Sequence, residues 1–190
     1  MKDISLHLLD IIENSVRAKA DQISIDIIIE VMRNKLLLRI KDNGIGMDQN
    51  TLSKAVDPFY TSKNERVKKI GLGIPLLKQN AEMCGGSFKL ISSPGKGTDL
   101  SAEFKFDHVD RMPLGNIADT MISVVIGHPE TDFQLKLKRK LINGEIRDYE
   151  FSTSFLKKEL GNVPLSYPDV IQFIEKDINE GIKKTQMEEF

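Results

Sequence analysis

Residues 22–31 read QISIDIIIEV, and after the break MRN the chain continues as KLLLRIKDNG. The two runs, rich in β-branched and aliphatic side chains, read as a hairpin or as adjacent strands. A sheet begun this early is what most limits the fold. The segment before it, residues 4–18, predicts a helix with Asp3 as N-cap. Ile4, Leu8, Ile11 and Ile12 fall at helical spacing there and form a buried stripe.

The pattern of mixed helix and strand continues. A short helix is expected over residues 49–56, then a polar, basic loop, DPFYTSKNERVKKIGLG. A helix starts near Ile74 and stops at CGG, where a glycine closes it. SFKLISSPGKGTDLSAEFKF reads as two strands joined by a Pro-Gly-Lys-Gly turn. Composition shifts after DHVDRMPLG, which marks a boundary between residues 1–106 and 107–190. Beyond it come a helix over residues 116–125, a hairpin turning at Asn143-Gly144, two further helical segments and a frayed tail, KKTQMEEF. The second part is thus a small α/β extension.

Size and charge narrow the function classes. The chain has 190 residues, 40% apolar and 29% charged, as an ordinary soluble domain does. A formal net charge of −1 gives no reason to expect nucleic acid or an anionic membrane as the main partner. Alternating lysines in QLKLKRK fit a protected edge strand better than a nucleic-acid patch. The single cysteine, Cys84, excludes an intrachain disulfide and fits a reducing cytoplasm. No apolar run approaches the roughly 20 residues of a membrane span, and the opening MKDIS does not read as a signal peptide. A cytoplasmic location is expected.

Four motifs carry chemistry. On the first helix, His7, Asp10, Asn14 and Arg17 are spaced by three, four and three, so they share a face. An amide oxygen there suits Mg²⁺, a guanidinium suits phosphate, and Asp10 can orient or deprotonate a nucleophile. Glu13 lies about 100° around the helix from Asn14 and has a lesser part. The other reading of this face is that water covers it. Next, KDNGIGM is a strand-to-helix turn, or a site where Asp42 accepts from an exocyclic amine while Gly44 and Gly46 admit a flat base. In GLGIPLL, Pro75 suits a first helical turn, and the glycines before it expose N–H groups at an anion-binding helix end. Lys63, Arg66, Lys68 and Lys69 lie in the loop upstream, which is either a solvated loop or a lid over phosphates. PGKGTDL, with Thr98 opening a strand, is by itself a hairpin turn, and the Walker A pattern is absent.

Taken in order, ENSVRAKA, DNGIGM, DPFYTSK, GLGIPL and GKGT resemble the N, G1, F, G2 and G3 boxes of the GHKL ATPase superfamily. That group includes DNA gyrase, the ninety-kilodalton heat-shock chaperone, histidine kinases and MutL. The resemblance covers residues 4–106. It implies the Bergerat fold, a two-layer α/β (α+β) sandwich with helices on one face of a mixed β-sheet, and ATP with Mg²⁺ as cofactors. By position it implies Asn14 as the Mg²⁺ ligand, Asp42 as the reader of the adenine amino group, and Gly44 and Gly46 as the G1 glycines. Gly71, Leu72 and Gly73 match the phosphate-contacting G2 turn, Thr98 matches the G3 threonine near adenine, and Lys63 is the favoured lid contact to phosphate.

Two positions separate branches of the superfamily. Four residues before Asn14 the hydrolysing branch has a water-activating glutamate. Here it is Asp10, shorter by one methylene, roughly 1.5 Å, a displacement that matters for catalysis. Arg17 and the short lid look kinase-like. Asn14 lies too near the start of the sequence for a phosphoacceptor hairpin to be expected before it. His7 reads as site edge or buried packing, and His108 and His128 sit in loop contexts. The acceptor is therefore expected on a separate protein. Residues 107–190 are left to extend the sheet, to make a homodimer contact or to dock a partner. The expected function is a histidine-kinase-type phosphotransferase. An ATPase switch of the gyrase and MutL type and a non-catalytic ATP sensor that binds a regulator are the alternatives.

Overall fold

Alternation decides how the central strand sits. In β1, Gln22–Glu30, the side chains of Ile23, Ile25, Ile27 and Ile29 are buried on one face, and Ser24, Asp26 and Ile28 point to the other. A 3₁₀ turn, Val31–Arg33, ends on Asn34 in the left-handed region. The chain then returns antiparallel as β2, Lys35–Asp42, with Ile23 opposite Asp42. In the computed structural model, which describes residues 2–57 and 72–188, β3, Ser87–Ser92, and β4, Thr98–Lys105, form the second expected hairpin, and β4 pairs with β2.

The sheet does not stop there. β5, Asp132–Lys140, lies parallel to β1, and β6, Ile146–Ser152, pairs antiparallel with β5. The strand order is β3-β4-β2-β1-β5-β6. Phe133, Leu135, Leu137 and Phe151 continue the buried face begun by the β1 isoleucines. Of the roles left open for residues 107–190, sheet extension is the one the fold displays. The compositional boundary after residue 106 marks a crossover loop within one sheet and one core.

The described residues form six helices, most of them on the buried face. They are α1, Ile4–Arg17; the short α2, Gln49–Ala55; α3, Gly73–Met83; α4, Ile117–Gly127; α5, Thr153–Leu160; and α6, Pro168–Lys184. Across the layer, α3 packs on α1, α1 on α4, and α4 on α6. The opposite sheet face is open to solvent and carries the ion pairs Arg39–Asp99, Lys35–Glu103 and Lys136–Glu150. This is the expected two-layer α+β arrangement, a mixed sheet with helices on one face.

The tail departs from expectation. Thr185 and Met187 are buried, and the Thr185 hydroxyl donates to the Gly181 carbonyl at 2.8 Å. Gln186 turns in the left-handed region, and Arg139 donates to its carbonyl. The segment expected to fray is packed as far as Met187, because a Thr and a Met supply core contacts that its many charges conceal. Among the described residues, no helix is long and apolar enough to cross a membrane.

Candidate functional site

The site is assembled at one end of the sheet, where β2 stops and α1 ends. The Asp3 carboxylate caps α1 by accepting from the Leu6 N–H at 3.0 Å. The apolar stripe Ile4, Leu8, Ile11 and Ile12 buries one side of the helix. Its other side carries the polar line expected from spacing, but the four residues do not share one environment. His7 is fully buried, Asp10 and Asn14 are half-buried, and Arg17 is exposed.

Asp10 faces the start of α3, with Asn14 one turn along the helix from it. The Asn14 Nδ2 lies 3.5 Å from Asp10 Oδ2, at the outer limit of a hydrogen bond. The same Asp10 oxygen lies so close to Gly73 that a Cβ on Gly73 would come within 2.1 Å of it. A side chain at position 73 would displace the Asp10 carboxylate from this place. His7 reaches the same residue, with Nδ1 3.2 Å from the Gly73 carbonyl oxygen. Burial pushes the His7 pKa below the ordinary histidine value. Leu72 is exposed at the N-cap of α3, and Pro75 sits in its first turn. Lys63, Gly71 and the expected lid lie outside the described residues.

Asp42, at the end of β2, is buried and fully engaged on one side. Its Oδ1 accepts from the Gly44 N–H at 2.9 Å and from the Thr98 N–H at 3.2 Å. Its Oδ2 accepts from the Ser15 hydroxyl at 2.8 Å. Each carboxylate oxygen has two lone pairs, so Oδ1 is saturated and Oδ2 keeps one. The 42–47 loop is held by its own backbone neighbours. The Ile45 N–H donates to the Ala18 carbonyl at 2.8 Å, and the Gly95 N–H donates to the Ile45 carbonyl at 2.7 Å. Gly46 has φ +68°, and a Cβ there would come within 2.0 Å of the Ser93 carbonyl oxygen. What Gly46 admits is therefore the β3–β4 turn, and Gly44 likewise packs on the Ala18 carbonyl. The Thr98 hydroxyl is 3.2 Å from Ser92 Oγ, which also accepts from the Met47 N–H at 2.9 Å.

Spacing alone missed Ser15 and Ser92. Ser15 follows Asn14 directly and lies four residues after Ile11, so a polar residue in the apolar row was its signal. Glu13, given a lesser part, is turned to another task, with its carboxylate 2.9 Å from His128 Nε2 at the end of α4. Arg17 Nε donates to the Glu13 carbonyl at 3.1 Å. Among the described residues no three His, Cys, Asp or Glu side chains cluster as a metal site. Asn14 offers a hard oxygen beside the Asp10 carboxylate, which fits Mg²⁺ taking its remaining ligands from substrate phosphates and water.

Residues 2–108, more than half of the chain, match the model of the histidine kinase-, DNA gyrase B-, and HSP90-like ATPases. The chain belongs to that family, and this part of it is a GHKL ATP-binding domain. A putative sensor protein of Shewanella frigidimarina (strain NCIMB 400) is 33% identical over 104 residues, covering 54% of this chain and 16% of that protein. The sensor histidine kinase YxdK of Bacillus subtilis (strain 168) is 26% identical over 99 residues, covering 50% and 30%. The cell-division control histidine kinase PdhS of Brucella anthropi is 32% identical over 117 residues, covering 55% and 11%. The chain spans less than a third of the length of each. Among solved structures, the MutL ATPase domain of Aquifex aeolicus complexed with ADP is 18% identical with a TM-score of 0.43, covering 71% of this chain and 60% of that one. Likeness at that level says nothing further of this chain.

Proposed function

We propose that the protein binds Mg-ATP between α1, the 42–47 loop and the start of α3, and transfers the γ-phosphate to a group on a separate protein. The observation that carries this reading is the pairing of two ends along one helix. At one end, Ser15 holds Asp42 with a single open lone pair. At the other, Asp10 lies against Gly73, with Asn14 one turn along α1 at the outer limit of a hydrogen bond to Asp10.

The adenine amino group donates to Asp42 Oδ2, beside Thr98. Asn14 Oδ1 holds Mg²⁺, which when bound neutralises charge on the phosphate oxygens. The N-terminus of α3, with Gly71, Leu72 and Gly73, contacts phosphate through backbone N–H groups. Arg17, tethered through Nε to the Glu13 carbonyl, turns the rest of its guanidinium to the phosphates, and Lys63 does so from the loop. Asp10 orients the incoming acceptor and takes its proton. Catalysis is then mostly positioning and charge stabilisation.

One observation favours a second reading, slow hydrolysis in an ATP-driven switch. The Asp10 carboxylate already lies against the phosphate-facing end of α3, where a water-activating base would stand. Incubation with γ-labelled ATP, with and without cell extract, separates the two. Label on a protein supports transfer, and free phosphate supports the switch. Neither product, with an ATP analogue still bound, supports a sensor that acts through a regulator. Asn14→Ala is the control: it abolishes Mg-dependent binding by calorimetry, and unchanged affinity removes Asn14 from the site.

A further inference from the structure

His7 is an odd choice for a fully buried position. Its Nδ1 can only donate to the Gly73 carbonyl, since that oxygen only accepts. This fixes the neutral tautomer with the proton on Nδ1, and Nε2 is left with a lone pair. Among the described residues that buried Nε2 has no partner. An unsatisfied buried acceptor is destabilising, whereas an aliphatic side chain on this helix would pack without that loss. The cost is tolerated for what the Nδ1 end does, and what it touches is Gly73. His7 and Asp10, three residues apart on α1, both meet that one glycine, one at its carbonyl and one where a Cβ would stand.

We propose that His7 is a positioning residue for the phosphate end of the nucleotide site. Through Nδ1 it fixes the Gly73 peptide, and so presents the first turn of α3 to the triphosphate in one orientation. The proposal rests on the nucleotide reading given above. His7 touches neither nucleotide nor acceptor. It acts only through Gly73, and it ties the helix that carries Asn14 to the helix that begins the phosphate cradle. The adenine end, held by Asp42, Ser15 and Thr98, is built on different contacts and does not depend on it.

The test compares the full chain with His7→Leu and His7→Asn, measuring affinity for a non-hydrolysable ATP analogue and for adenosine by calorimetry with Mg²⁺ present. Leu removes the donor. Asn keeps an N–H donor close to the place of Nδ1. Loss of one buried hydrogen bond that orients a charged ligand is expected to weaken the analogue about tenfold in His7→Leu, with adenosine within about twofold. His7→Asn is expected to recover most of the loss. If His7→Leu weakens analogue and adenosine alike, or weakens neither, or if Asn recovers nothing, His7 does not position the phosphate end. If His7→Leu does not fold, His7→Ala, which also lacks the donor, is measured in its place, and an unchanged ratio of analogue to adenosine affinity there overturns the proposal. A wild-type chain that binds no nucleotide overturns the nucleotide reading itself, a result distinct from all of these.

Discussion

Asp42 has four lone pairs and three protein donors, and that count decides what a single substitution does. Asp42→Asn can keep an oxygen toward Gly44 and Thr98 and turn its NH₂ toward Ser15, whose hydroxyl can rotate to accept. The fold survives. The one open acceptor is replaced by N–H, which on the proposed nucleotide reading would meet the adenine amine donor to donor. ATP affinity is expected to fall about tenfold or more, while free triphosphate binds as before. Calorimetry showing equal loss for both would remove Asp42 from base reading. The sequence displays this residue because it ends a strand and precedes Asn-Gly. It displays Asp10 and Asn14 because a four-residue spacing aligns them. It does not display Ser15 and Ser92, because a serine in a helix or at a strand end ordinarily bonds its own backbone. Ser15 does sit 3.2 Å from the Ile11 carbonyl, and only the bond to Asp42, 27 residues away, gives it a part in the site.

At the scale of elements, a tyrosine adds a polar tie to the core packing between α6 and β6. The Tyr149 hydroxyl donates to Asp177 Oδ2 at 2.6 Å, and its ring lies over Gly181. Burial, with the neighbouring carboxylate, pushes the phenol well above its usual range, so it stays a donor. Alanine is the better helix former by about 1 kcal/mol, so Gly181→Ala would stabilise an isolated α6. Here a Cβ would come within 2.4 Å of the ring, and the hydroxyl bond prevents the ring from swinging away. Overpacking of this kind costs about 1–3 kcal/mol. The expected net outcome is destabilisation by about 1 kcal/mol, read from urea unfolding, and a stabilised variant would show that the ring moves freely. Hairpins and helices of this segment were legible one by one, from Asn143-Gly144 and from apolar spacing. Their common seat on the first sheet was not. The parallel pairing of β1 with β5 joins residues about 110 apart, and no local pattern encodes such a partner.

For the molecule as a whole, that pairing joins two stretches of different composition in one sheet and one core. A fragment ending at residue 106 would lose β5, β6, α4 and α6, and so the cover over the Ile25, Ile27 and Ile29 row. The full chain is expected to unfold in a single urea transition, coincident by circular dichroism and fluorescence of its tyrosines. The fragment is expected to show no cooperative transition. Two separated transitions in the full chain would make residues 107–190 an independent appendage. The same geometry bears on synthesis. On a ribosome adding about 5–20 residues per second, roughly 5–20 s pass between completion of β1 and completion of β5. Through that interval the most apolar strand of the nascent chain has one edge without its partner. A half-built sheet edge is thus exposed during synthesis, and the yield of folded chain is expected to depend on growth temperature and chaperone supply.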